Sequence, residues 1–176
     1  CTYYRAAVIG AGDKAEANSL VSAGICASGG VGMAANKAEA VRLYKLASDK
    51  GDAIGALNLG TMYEAGAGVA KDLAESTRLY RLAGDRGSAK GMAYAGDMYF
   101  KGWGVAVDYA EAEKWYRRAD AKNYDEATRM IGVLYELGNG RPADRAEAIR
   151  YYQKAAGLGN AKAKQALVRL GVTAAP

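Results

Sequence analysis

Glycine and tyrosine recur in this chain at a fixed interval of 36 residues, as Gly24, Gly60, Gly96 and Gly132 and as Tyr44, Tyr80, Tyr116 and Tyr152. Ala38, Ala74, Ala110 and Ala146 keep the same spacing, as do Ala47, Ala83, Ala119 and Ala155. Paired glycines follow it too: Gly30/Gly32, Gly66/Gly68, Gly102/Gly104 and Gly138/Gly140. Frames held over four copies mark a repeat architecture. One copy of this length cannot bury its apolar face alone, so the copies must stack on one another.

The physics of a single copy is readable from residues 53 to 65. Ala56, Leu59, Gly60 and Tyr63 fall at i, i+3, i+4 and i+7, which is one face of an amphipathic helix, helix A. Glycine in mid-helix costs about 1 kcal/mol against alanine, so Gly60 and its equivalents predict a close approach where a side chain would collide. The G-x-G loop ends helix A by supplying a left-handed C-cap, and Asp72 or Asp108 is placed to cap a second helix, helix B. Helix B presents Ala74, Leu79, Tyr80 and Ala83, whose small residues allow close packing while the tyrosine fills the gap between neighbouring hairpins.

These residues resemble the Sel1-like repeats, a branch of the tetratricopeptide-type solenoids. The family pattern is matched by Leu59-Gly60, Tyr63, Gly66, Gly68-Val69, Asp72, Ala74, Tyr80, Ala83, Gly87 and Ala89, and again by Gly96, Tyr99, Gly102, Gly104-Val105, Asp108, Ala110, Tyr116 and Ala119. Departures are local: Ala27 and Asn36 in the first copy, Asn123 in the third and Arg141 in the fourth, which are expected to loosen those turns. The resemblance implies an all-α fold, a right-handed α/α superhelical solenoid of helix-turn-helix repeats. Its frame gives one domain over 1–176: a partial repeat at 1–16 holding a helix B, repeats at 17–52, 53–88, 89–124 and 125–160, and a C-terminal capping helix at 161–176. About one helical turn beyond the frame is inserted between Asp13 and Ala17.

Composition narrows the chemistry. The 176 residues are 51% hydrophobic and 24% charged, contain no histidine and only two cysteines, Cys1 and Cys26, so imidazole bases and the usual zinc sites cannot be assembled. No cofactor is expected. No apolar run approaches the roughly 20 residues of a membrane span. The net charge of +5 comes mostly from Lys162, Lys164 and Arg169, while the preceding copies are close to neutral. A phosphate-tracking surface needs a basic stripe along its length, so nucleic acid is not the expected partner.

The resemblance places helix A on an inner, concave surface where a partner protein or peptide binds. The stripe of helix A left over from packing, at i, i+3, i+7 and i+10, then gives candidate contacts. They are Asn18, Val21, Ile25 and Ser28 in the first copy and Ile54, Leu57, Thr61 and Glu64 in the second. Lys90, Ala93, Asp97 and Phe100 follow in the third, Glu126, Arg129, Val133 and Glu136 in the fourth, and Lys162, Gln165 and Arg169 in the terminal helix. The stripe runs from apolar to charged. Leu57 and Val21 are equally readable as packing residues. Trp103, between Gly102 and Gly104, occupies a loop position held elsewhere by Val31, Ala67 and Asn139, so it is a candidate anchor, with Phe100 beside it in sequence; the alternative is that it folds back on its own hairpin. Trp115 is expected in the core.

Other motifs carry less. The G-x-G loops follow helices and recur as turns, unlike a dinucleotide fingerprint, which follows a strand. Glu111 and Glu113 lie two apart and face different directions. Cys26 shares its frame with Met62, Met98 and Leu134, which reads as a buried apolar thiol; a disulfide with Cys1 is conceivable but not favoured. A leading cysteine also raises a lipidated N-terminus, although a fragment explains it more simply. The expected function is a non-catalytic protein-interaction scaffold or adaptor. By resemblance, bacterial members are often envelope or periplasmic proteins and some block a toxin as immunity proteins, so an inhibitor is the second reading. A hydrolase of cell-wall or β-lactam substrates is a third. Compartment and oligomeric state do not follow from the residues.

Overall fold

The structure, a computed structural model, describes residues 16–30 and 34–172. Among them nine helices follow one another: α1 (Ala17–Gly29), α2 (Lys37–Asp49), α3 (Ala53–Ala65), α4 (Leu73–Asp85), α5 (Ala89–Lys101), α6 (Tyr109–Asp120), α7 (Asp125–Leu137), α8 (Arg145–Gly157) and α9 (Ala161–Arg169). Odd-numbered helices are the helices A of the repeat and even-numbered ones the helices B. The described residues divide into two compact units, one reaching to Gly91 and including Trp103–Val105, the other comprising Met92–Gly102 and everything from Ala106 on.

Each hairpin is punctuated as its sequence requires. Asp72, Asp108 and Asp144 cap α4, α6 and α8 by accepting from the backbone N–H of Glu75, Glu111 and Glu147, and Asn36 does the same for α2 through Glu39. Gly30, Gly66 and Gly138 close α1, α3 and α7 in the left-handed region.

In the first unit α1 packs on α2, α2 on α3 and α3 on α4. Its core holds Leu20, Ala23, Leu43, Tyr44, Ala47, Leu59, Met62 and Leu79. In the second, α6 packs on α7, α7 on α8 and α8 on α9. Tyr152, Ala148, Ala155, Ala163 and Leu167 form a cluster at its C-terminal end. Trp115 is buried, with its indole N–H donating to Glu111 at 2.9 Å.

The mid-helix glycines have the predicted cause. A Cβ added at Gly60 would lie 2.8 Å from the Tyr80 ring, and one at Gly132 would lie 2.8 Å from Tyr152. Gly24 against Tyr44 and Gly96 against Tyr116 are as tight, at 2.5 and 2.6 Å. The second loop glycine meets backbone instead of a ring. At Gly68 and Gly104 a Cβ would run into the chain opening the preceding helix B, at Lys37 and Leu73.

One expectation needs correcting. Cys26 is buried as its frame predicts but is disulfide-bonded and not a thiol; Cys1 lies outside the described residues, as do the inserted turn near Asp13, the helix B expected in the partial repeat ahead of the first copy, and Val31. Arg141, which stands in place of the valine, pairs its guanidinium with Glu113 and lies 4.3 Å over the Tyr135 ring. Asn123, in place of the closing glycine, adopts φ 58°, a left-handed conformation asparagine tolerates.

A charged cleft between the last two helices A

In the second unit α7 and α9 leave a cleft of about 450 Å³ between them. Arg129, Val133, Glu136 and Leu137 face it from α7 and Lys162, Gln165, Ala166 and Arg169 from α9, with Tyr152 of α8 as its floor. Both sets follow helical spacing, so one stripe of each helix is presented. Asn160 fixes the two helices against each other. Its carbonyl oxygen accepts from Ala163 N–H to cap α9, and its amide donates to Asp125 and Glu126 at the start of α7, each at 2.9 Å.

The charges in the cleft are ordered. Arg129 forks onto Glu126 with N···O distances of 3.0 and 2.8 Å, and Lys162 stands 3.4 Å from the same carboxylate. The guanidinium bond and the Asn160 amide outweigh partial burial and hold Glu126 down to about 2. Arg169 reaches from α9 to clasp Glu136 at 2.6 and 2.8 Å, and this bond depresses the Glu136 carboxyl. The same carboxylate accepts the Tyr152 hydroxyl at 2.6 Å. Burial, reinforced by that carboxylate, raises the phenol well above its ordinary value.

The sequence-derived stripe is thus divided by the structure. Arg129, Glu136, Gln165 and Arg169 come together on one cleft, joined by Val133 and Lys162. Leu57 and Ala93 are buried at 7% and 3% exposure, because the second position of the stripe is core in those copies, as it is at Val21. They present no surface to a partner. Ile54 is exposed at 52% and Lys90 is exposed; Thr61 is half-buried and donates its hydroxyl to the Asn58 carbonyl. Glu64 and Asp97 each accept the hydroxyl of their own hairpin tyrosine, Tyr80 at 2.5 Å and Tyr116 at 2.6 Å. Burial raises the Asp97 carboxyl, a shift which that hydrogen bond only partly offsets.

Phe100 is half-buried with its ring edge-on to Tyr109 at 5.5 Å. Trp103 belongs to the other unit; its backbone carbonyl accepts from the Thr77 hydroxyl and its side chain is 40% exposed. The tyrosine-to-carboxylate bonds were missed from sequence. Their signal was present, an acidic residue late in helix A ahead of the framed tyrosine, at Glu64/Tyr80, Asp97/Tyr116 and Glu136/Tyr152. Leu137, Tyr152 and Ala166 were also missed as cleft residues, since their frames assigned them to packing or to the hairpin turn. Among the described residues no helix is long and apolar enough to cross a membrane.

The Sel1 repeat family model matches residues 15–52, 53–88, 89–123 and 125–160. The Sel1 repeat protein from Oxalobacter formigenes is 34% identical, with a TM-score of 0.83 over 88% of this chain and 63% of that one. A protective antigen of uropathogenic Escherichia coli strains, c5321, which displays an SLR fold, is 31% identical with a TM-score of 0.88 over 99% of this chain and 38% of that one. The chain therefore spans less than two thirds of either relative. The immunity protein PA5088 from Pseudomonas aeruginosa is 18% identical at a TM-score of 0.45, a likeness too slight to support the inhibitor reading. No curated protein matches. With four matched repeats and two solved relatives above 30% identity, the chain belongs to the Sel1 repeat family and has its all-α solenoid fold.

Proposed function

We propose that this chain is a non-catalytic scaffold that binds a partner polypeptide in the cleft between α7 and α9. Sel1 repeats are a protein-interaction fold, and the observation that carries the choice of site is the cleft itself. Arg129, Glu136, Gln165 and Arg169 line one cavity large enough for side chains, and of these only Glu136 also bonds the hairpin tyrosine, Tyr152. Val133, Leu137 and Ala166 supply an apolar wall, and Lys162, 71% exposed, supplies an excess positive charge at the rim. The chemistry complementary to this surface is a peptide with an apolar side chain next to an acidic one. A scaffold accords with the protonation states: Glu126 and Glu136 are held ionised by guanidiniums and the Tyr152 phenol is held protonated, so none is poised to exchange a proton near neutrality.

The test is selection of displayed dodecapeptides on the wild-type chain, followed by affinity measurement on Gln165→Trp, which fills the cleft from an exposed position. Selected peptides that combine apolar and acidic residues and lose at least tenfold on Gln165→Trp support the reading. Peptides that bind both proteins equally overturn the site.

A further inference from the structure

A second pocket, of about 280 Å³, opens in the first unit on the helix-B side, between α2 and α4 over α3. Its walls include Lys45 of α2, Tyr63 of α3 and Arg78 and Leu79 of α4. Two 36-residue periods later the same four frames hold Arg117, Tyr135, Arg150 and Tyr151.

In the second unit the ring of Tyr151 stands at the frame that Leu79 holds in the first. Tyr151 stacks on Tyr135 with centroids 5.6 Å apart and planes 12° apart. Its hydroxyl accepts from the Arg117 guanidinium at 2.9 Å, and the Arg150 guanidinium lies 4.7 Å over its ring. The buried ring is thus held by a stacking surface, a cationic donor and a cation–π partner. In the first unit Tyr63 repeats the stacking surface, Lys45 the cationic donor, paired with Asp49 at 3.0 Å as Arg117 is with Glu113 at 2.7 Å, and Arg78 the cation, held by Glu75 as Arg150 is by Glu147. What differs is Leu79, a shorter side chain where Tyr151 stands.

We infer that the α2/α4 pocket is a receptor for a tyrosine side chain of a partner polypeptide, which lies on Tyr63 and presents its hydroxyl to Lys45, reproducing in trans what Tyr151 does within the second unit. The space is sufficient, since a cavity of about 150 Å³ admits a benzene ring. Access is sufficient too, as the side chains of Lys45 and Arg78 at the rim are 66% and 60% exposed. Amphipathic aromatics are the usual anchors of protein contacts, and a phenol meets both the apolar floor and a rim of ion-paired donors, Lys45 with Asp49 and Arg78 with Glu75. The site is separate from the α7/α9 cleft, and its test does not depend on that cleft.

The test is NMR titration of the full chain with the capped tripeptide acetyl-Gly-Tyr-Gly-amide, and with its Phe and Leu counterparts. The expected result is saturable shifts at the amides of Lys45, Tyr63 and Leu79, with the Tyr peptide at least threefold tighter than Phe and Leu showing no saturation. Leu79→Tyr supplies the missing ring in cis and is expected to abolish those shifts while the protein keeps its cooperative melt. Should that variant fail to fold, Tyr63→Leu removes the stacking surface and is expected to weaken the Tyr peptide at least tenfold. Shifts absent from the pocket, equal for Tyr and Leu, or undiminished in whichever folded variant is used would overturn the inference.

Discussion

The Tyr152 ring lies only 2.8 Å from where a Cβ on Gly132 would sit, and its hydroxyl donates to Glu136 one turn further along the same helix as the glycine. Ring and glycine therefore define how closely α8 approaches α7. The same arrangement recurs at Gly60, Tyr80 and Glu64. It joins hairpin packing to the face on which the candidate cleft lies.

Gly132→Ala is expected to destabilise the protein despite alanine's better helix propensity. The ring must move or the helices must part, and overpacking of this kind costs typically about 1–3 kcal/mol, more than the ~1 kcal/mol that propensity returns. Gly157→Ala is the control, because nothing lies within 4 Å of its added Cβ and it sits at the end of α8 without positive φ. Urea denaturation should show a loss for the first variant and no loss for the second.

Tyr152→Phe keeps the ring and removes the hydroxyl. Hydrogen bonds to charged groups contribute roughly 1.5–3 kcal/mol, and the Arg169 clasp on Glu136 retains part of that carboxylate's stabilisation, so a loss near the lower end, about 1.5 kcal/mol, is expected. Pairing with Glu136→Gln in a double-mutant cycle should return a coupling of the same sign. Additive losses would show that the short contact contributes nothing.

Acid sensitivity follows from the cleft. Glu126 has its folded-state value depressed from 4.5 to about 2, so the unfolded chain takes up its proton first; the stabilisation is full above the unfolded value and is lost as pH falls from about 4.5 toward 2. Glu136, also depressed, acts in the same sense. Asp97 is raised, so it gains stability as pH falls through its folded value and opposes the other two. Urea midpoints measured from pH ~6 down to ~2 should fall less steeply for Glu126→Gln than for wild type and more steeply for Asp97→Asn.

The helix caps and the tight hairpin contacts were legible because each copy repeats the same local demands. A glycine opposite a tyrosine and an aspartate at a helix start mean the same thing wherever they recur, and all four glycine–tyrosine pairs are in contact. Side chains whose surroundings are set outside their own helix were less legible. Leu57 and Ala93 fit the stripe by spacing, yet both are buried, which spacing within one helix does not register. Arg169 and Glu136 were both named, but their clasp joins residues 33 apart on different helices and only the packed structure shows it. Cys26 was misread for a related reason, since its frame registered burial and could not register a covalent partner.

The most direct measurement is backbone amide shift mapping of the full chain with a peptide selected as binding in the cleft. Largest changes at Val133, Leu137, Gln165 and Ala166, weakening as salt screens the Lys162 rim, are the predicted result. Saturable binding of that peptide with those four amides unmoved would contradict the account.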